Sequence, residues 1–296
     1  MPLKRCLAAL SDQSKSVAFY QLANLSDLSS AEVKLFQKAW EKVAVERRRE
    51  VIDELIALAR GNAKLNFDSV FCSCFSDPDA QVRAKAIEGL WECEDCTLIS
   101  ILVEMLMKDK EDIVRAAAAS ALGRFALLGE LRKVNPRHLT KIGDILFGII
   151  DTQEEKVELR CRAIEAIAPL TLPRVKEAIS KAYHSRNPKL RASALCAMGL
   201  SGDPIWLSIL LRELDNPKPE ICLEAIKACG ELGEEEAVPH LLRLIHGTDI
   251  QKQLAALTAL RQMGEGEAKQ ALYQCRYHPD EQVRQLAKEV WGKAEV

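Results

Sequence analysis

Five alanines recur every 31 residues along the second half of the chain, at Ala163, Ala194, Ala225, Ala256 and Ala287. Four residues before each stands Leu159, Leu190, Ile221, Lys252 or Val283, an apolar slot with one exception. Glycines keep the same step, Gly199 with Gly230, and Gly202 with Gly233 and Gly264. A fixed period of this length means one structural unit copied along the chain, and such units bury their apolar faces only against their neighbours. The sequence therefore predicts an array that grows by layers, so that 296 residues fold as one domain without an impractically large core.

The unit is clearest between Arg186 and His278 and reads turn, helix, short break, helix. In one copy Leu190, Ala194, Ala197 and Met198 fall three or four residues apart, giving a buried stripe on the first helix. Leu207, Leu210, Leu211 and Leu214 do the same on the second. Asp77-Pro78-Asp79, Asn187-Pro188, Asn216-Pro217 and Pro279-Asp280 mark turns that open a first helix. Gly199, Gly230 and Gly264 are expected at the stop of the first helix, where glycine tolerates a left-handed conformation. Helices joined by so short a break fold back as antiparallel pairs.

Earlier copies are less regular. Val82, Arg83 and Ala86 match Val114, Arg115 and Ala118, but the step from Ala118 to Ala163 is 45 residues, which predicts an insertion at Gly129–His138. That segment is expected as an exposed loop carrying Arg132, Lys133, Arg137 and His138. Before Asp77 the match fades, and Ser29–Val43, Val45–Arg60 and Asn66–Phe75 read as three helices of an atypical end. The expected organisation is a divergent helical cap over residues 1–76 and one continuous array over 77–296.

Leu, Ala, Glu, Lys and Arg dominate the composition and aromatics make up only 5%, so no sheet is expected. Lys and Arg total 41 against 43 Asp and Glu, a formal charge of −2, which removes the global positive excess that a nucleic-acid backbone attracts. Lys4 and Arg5 precede an apolar run that the polar stretch Ser11–Ser16 interrupts, unlike a secretory signal. No run approaches 18 apolar residues. The chain is expected in the cytoplasm.

The order of Asp or Asn with Pro, Val or Leu followed by Arg, Ala four residues after the apolar position, a Gly-containing break and a Leu-rich helix resembles HEAT repeats of the short bacterial kind also found in phycobilin lyases. The resemblance covers about Asp77 to Gly292. The segments LSDLSSAEVKLFQKAW and ERRREVIDELIALA also look like the start of a group of bacterial HEAT-repeat proteins, from which no activity carries over. It implies an all-α, right-handed α-α superhelix of about seven to eight helical pairs.

Two rows of side chains follow. Arg83, Arg115, Arg160, Arg191 and Arg284 come after the apolar position, with Cys222 and Gln253 in two copies, and resemble the ladder arginine of HEAT repeats, which bonds to acidic or carbonyl groups of the adjoining turn. Five such cations could instead grip an anion. On the second helices, which line the concave side of the HEAT architecture, Lys181, Arg212, Arg243 and Gln274 are 31 residues apart, and one turn on stand His184, Asp215, His246 and Tyr277. This mixed strip suits the carboxylates or phosphates of an extended partner, and equally a solvated helix face.

Ten cysteines in a helical chain of this size read as core residues, Cys161, Cys196, Cys222, Cys229 and Cys275 among them, rather than as a disulfide framework. Cys72, Cys74, Cys93 and Cys96 are numerous enough for zinc, but residues two apart on a helix diverge, so no metal site is expected. His138, His184, His240, His246 and His278 include no His-x-x-x-His pair and no His-Glu dipeptide, the iron-binding signature of HEAT-repeat deoxyhypusine hydroxylases. Neither a phosphate loop nor a cluster among Trp40, Trp91, Trp206 and Trp291 is present. The expected function is a non-catalytic scaffold or adaptor that holds a protein or peptide, an acidic one included, in its groove, with no cofactor. The alternatives are a chaperone-like lyase subunit for a tetrapyrrole or other prosthetic group, and a HEAT-like nucleic-acid repair protein.

Overall fold

A computed structural model describes residues 2–11 and 19–292. Most of the polar interruption noted near the amino terminus lies outside them. The described residues are helical throughout their regular elements and contain no strand. The chain divides into two compact units, Met1–Leu128 and Gly129–Val296.

The first unit opens with α1 (Pro2–Ser11), the single turn α2 (Phe19–Leu22), α3 (Ser30–Trp40), α4 (Val45–Gly61) and α5 (Asp68–Ser73), and continues through α6 (Ala80–Gly89), α7 (Leu98–Lys108) and α8 (Asp112–Glu130), whose last two residues fall in the second unit. Ser29 caps α3 in a reciprocal box with Glu32. Asp77, only 6% exposed, then ties the turns together: it accepts from the Trp40 indole N–H at 2.8 Å and from Arg48 at 2.9 Å, and its second oxygen accepts from the Asp79 amide. Asp79 caps α6 and takes both Nε and Nη2 of Arg49. Arg83 grips Asp109 in the same two-pronged way, at 2.9 and 2.8 Å.

The second unit carries α9 (Pro136–Asp151), α10 (Val157–Ile167), α11 (Pro173–Tyr183), α12 (Pro188–Leu200), α13 (Leu207–Glu213), α14 (Pro219–Leu232), α15 (Val238–Ile245), α16 (Ile250–Met263), α17 (Gly266–Cys275) and α18 (Glu281–Gly292). The first helices α10, α12, α14, α16 and α18 pack side by side, while α11, α13, α15 and α17 form a second layer against them. Asn187 and Asp249 cap α12 and α16 through their side chains, and Pro188 sits in the first turn of α12 where its missing N–H costs nothing. All five periodic alanines are fully buried.

Two expectations change. Gly199 and Gly230 lie within α12 and α14, not at a left-handed stop, and a Cβ on either would stand 2.8 Å from the Cα of Ala228 or Ala259 on the next first helix. They are small because two helix backbones meet there; the left-handed stops belong to Gly202, Gly233 and Gly264, with φ of 61°, 78° and 82°. The inserted segment is not a ten-residue loop either. Half of it is absorbed into α8, of 19 residues, and α9, of 16, and Val134 between them is buried. A Cβ on Gly129 would collide with the Leu139 side chain. Arg132, Lys133 and Arg137 are exposed and His138 is half-buried.

Gly230→Ala should therefore destabilise the protein by about 1–3 kcal/mol through overpacking. Gly148→Ala, exposed inside α9 with no atom within 4 Å of the new methyl, should stabilise it by about 0.5–1 kcal/mol. Urea unfolding of the two variants checks this, and the same sign for both would refute the close-approach reading.

Acid stability follows from the aspartates. Hydrogen bonds from Arg49 hold the Asp79 carboxyl below its usual range. Burial works to raise Asp109, but the Arg83 bonds and backbone N–H groups outweigh it and the net direction is down. A depressed folded value gives stability that is present above the unfolded carboxylate pKa, about 3.9, and is lost as pH falls through the folded values. Asp79→Asn and Asp109→Asn should each lower stability at pH 7 and flatten its decline below about pH 4, measured by unfolding across pH.

Candidate functional site

The polar row of the second layer is a product of helical spacing. On α11, α13, α15 and α17 the residues facing α12, α14, α16 and α18 are buried, among them Ile179, Leu210, Leu241 and Leu272. The same helices expose Lys181, Arg212, Arg243 and Gln274, with His184, Asp215, His246 and Tyr277 one turn on. The period that buries one face thus repeats the other on four consecutive helices.

Tertiary contacts make these side chains unequal. Arg243 is held by Asp215 of the preceding repeat at 2.8 Å. Arg212 donates to the Tyr183 hydroxyl at 2.8 Å, and that hydroxyl donates to Glu213. Glu213 is only 6% exposed, so its charge needs company: Tyr183, Asn216 and the Arg191 guanidinium at 3.8 Å surround it. Burial and then the Glu213 carboxylate raise the Tyr183 phenol above its usual range. Lys181 makes no hydrogen bond or ion pair among the described residues and lines a depression of about 250 Å³ beside Ile150, Arg160 and Leu190.

At the other end of the row His246 Nδ1 lies 2.8 Å from His278 Nε2, with the rings stacked at 4.9 Å. The Asp280 amide donates to His278 Nδ1. In the neutral pair His278 is therefore the donor and His246 the acceptor. Tyr277 pairs with Tyr273 hydroxyl to hydroxyl at 3.2 Å, and His184 Nδ1 lies 2.8 Å from the Ser180 carbonyl.

The residues after the periodic apolar position face the preceding second helix or turn. Arg115 donates to the Leu106 carbonyl at 2.9 Å, Arg160 to Ile150 at 3.2 Å, and Arg284 to His278 and Pro279 at 2.8 Å each. Arg83 adds the Asp77 and Pro78 carbonyls to its Asp109 pair. Where arginine is replaced, the job persists: the Cys222 thiol reaches the Leu214 carbonyl and the Gln253 amide reaches Ile245 and Gly247. Most of these acceptors are carbonyls that a helix end or a turn leaves without an intrahelical donor. Arg191 departs from the pattern by turning to Glu213 and the Tyr183 ring.

All ten cysteines are free. Burial pushes the Cys72 and Cys74 thiols up to about 12 and Cys93 up to about 11, away from the thiolate form that nucleophilic or metal chemistry uses. Among the described residues no three His, Cys, Asp or Glu side chains are grouped to hold a metal ion. No described helix is long and apolar enough to cross a membrane.

The sequence reading missed Tyr183, Glu213 and His278 as members of the row. A signal for Glu213 was available: its equivalents at the same period are Ala182, Leu244 and Cys275, so a carboxylate interrupts an apolar column.

Comparison with known proteins agrees with this architecture. HEAT repeats match residues 69–139 and 206–291, more than half of the chain, which belongs to the HEAT-repeat family. The complex of CpcE and CpcF of phycocyanin lyase from Nostoc sp. PCC7120 shares the fold at a TM-score of 0.50 and 16% identity, over 98% of this chain and 94% of that one. YibA from E. coli aligns over 94% of this chain and 98% of its own at 17% identity and a TM-score of 0.46. No curated protein sequence matches the chain.

Tyr183→Phe should cost about 1–3 kcal/mol, because it strips a donor from a buried carboxylate. Adding Glu213→Leu, which restores the apolar column, should recover most of that loss. Thermal or urea unfolding of the single and double variants checks the pair; an equally unstable double variant would mean that the network is not what Tyr183 supports.

Proposed function

We propose that the protein is a non-catalytic interaction scaffold that holds an extended polypeptide along the exposed face of α11, α13, α15 and α17. The observation that carries this reading is the periodic row itself: Lys181, Arg212, Arg243 and Gln274, with His184, His246 and Tyr277, are exposed at equivalent places on four stacked helices. Helices packed roughly 10 Å apart would present these groups at a spacing that a short extended segment can follow. A surface ordered before binding loses little entropy on association, so modest contacts add up across repeats.

The partner chemistry we favour is acidic. Lys181 offers an uncommitted ammonium, while an incoming carboxylate at Arg243 competes with Asp215 and at Arg212 with a phenol. Each exposed charge is worth about 0.2–1 kcal/mol, so recognition rests on the row and not on one residue. In this reading residues 1–76 cap the array and the row lines its groove. The lyase-subunit alternative draws on a fold shared with a two-chain phycocyanin lyase at 16% identity, and on no residue of this chain.

The test is affinity purification with the wild-type protein and with Lys181→Glu, Arg212→Glu and Arg243→Glu combined, accompanied by the milder triple Gln variant. The expected result is one stoichiometric polypeptide retained by the wild type and lost from both variants. The triple Gln variant should keep its melting temperature within about 2 °C. Retention of the polypeptide by the folded triple variants would sink the proposal, and co-purification of a pigment would favour the lyase subunit.

A further inference from the structure

Along one edge of the Gly129–Val296 unit, the turns that join first to second helices stack, and their chemistry changes from one repeat to the next. Between the turn after α10 and the turn after α12 lies a cleft of about 400 Å³, lined chiefly by Leu170, Leu172, Pro173, Val175, Ile179 and Trp206. That size falls in the range of sites that take up small ligands or side chains. Its charged members, Lys176 and Asp203, neutralise each other at 2.6 Å. At this edge Leu172, in the cleft wall, is 45% exposed, and Ile205, on the neighbouring turn, is 54% exposed. Trp206 is 6% exposed, and its indole N–H has no acceptor.

One repeat further on, the short 3-10 turn Pro204–Trp206 is replaced by Glu235–Ala237. Here Glu231, Glu234, Glu235 and Glu236 gather, followed at the next turn by Glu265 and Glu267. None of the six forms an ion pair with a basic side chain among the described residues, and five of them are exposed. The group adjoins the cleft: Glu231 packs against Gly199, two residues before Ser201 in the cleft wall. Glu235 is tied to the following turn by the Glu267 amide at 3.3 Å. Lys227, which pairs with Glu224 at 3.4 Å, Arg261 and Lys269 are the cations that flank these turns in sequence. On the opposite side of the cleft the sign reverses, with Arg132, Lys133 and Arg137 on the turn before α9. That turn is joined to the cleft by Thr171, which donates to Glu130 from its amide at 3.0 Å and its hydroxyl at 2.7 Å.

We propose that this edge is a second docking surface, built for a basic segment of another protein that seats one large apolar side chain in the cleft and lays Lys or Arg over the carboxylates of the next two turns. The charge pattern selects the occupant. Like charges gathered without ion-pair partners among the described residues repel one another, and a cationic partner relieves that repulsion. Nucleic acid and anionic lipid carry the wrong sign for the carboxylates. The cleft demands an apolar group, which a bare polyamine lacks. Arg132, Lys133 and Arg137 restrict the basic residues to one side of the anchor. The surface is separate from the row on α11, α13, α15 and α17, so an adaptor would hold an acidic and a basic partner at once.

The test uses synthetic fluorescein-labelled peptides in fluorescence anisotropy with the full chain: a Leu-Phe-Leu anchor followed or preceded by a block of Lys and Arg, the matched peptides with Glu and Asp, and the basic block joined to Gly and Ser only. One order of the anchored basic peptide should bind at least about tenfold tighter than the acidic and anchorless forms, and binding should weaken with added salt. Leu172→Glu should abolish it, and Glu231→Lys, Glu235→Lys and Glu236→Lys together should weaken it by about tenfold or more. Circular dichroism verifies that these exposed-site variants remain folded. Titration should alter tryptophan emission in the parent and not in Trp206→Phe. The triple Gln variant of Lys181, Arg212 and Arg243 should bind the peptide normally, which separates this surface from the first. Equal affinity for acidic and basic peptides, or no binding by any, overturns the proposal. So does concentration-dependent dimerisation that Leu172→Glu removes, which would assign the cleft to a second copy of the chain.

Discussion

The structure of the repeat array depends on how closely two first helices can approach. At Gly199 against Ala228 and Gly230 against Ala259 no room remains even for a methyl group, and the buried alanines Ala163, Ala194, Ala225 and Ala256 occupy helices that have a neighbour on either side. Close packing of this kind tolerates no change of volume without strain. It fixes the register of one repeat on the next, and with it the 31-residue step at which every other feature returns. The larger Leu and Ile residues of α11, α13 and α15 then fill the space between the two layers.

A second requirement is imposed by the ends of those helices. Each second helix stops beside the next first helix and leaves carbonyls that its own backbone does not satisfy. The column Arg160, Cys222, Gln253 and Arg284 answers this with three different donor types. Hydrogen-bond donation, more than positive charge, is the property common to these side chains. The same logic at higher charge density appears in the first unit, where Asp77 gathers Trp40 and Arg48 while its own carbonyl receives Arg83.

With packing and helix ends satisfied, the remaining side chains vary freely, and chemical differences between repeats reside there. The second-layer row begins with an uncommitted Lys181, passes through arginines shared with Tyr183 and Asp215, and ends in the His246–His278 pair. A partner's charge would have to displace progressively more internal structure along the row. The turn edge varies more steeply, from basic through apolar to acidic within a few repeats, because turns carry little of the core and can change composition at small cost to stability.

The sequence by itself determined the all-helical class, the period, and which positions on the second helices face solvent, since 3.6 residues per turn and one repeat length fix those from apolar spacing alone. Even the interruption at Glu213 was visible as a carboxylate in a column of Ala182, Leu244 and Cys275. What only the tertiary structure decided is what each exposed or buried polar group meets. Gly199 and Gly202 lie three residues apart and look alike in the sequence, yet one is required by a neighbouring backbone and the other by its own left-handed φ. Arg243 and Lys181 occupy the same slot, and only the fold shows that one is already neutralised by Asp215. Periodicity specifies the direction of a side chain from its own helix, whereas its partners come from helices some 31 residues away, whose offset is settled by packing.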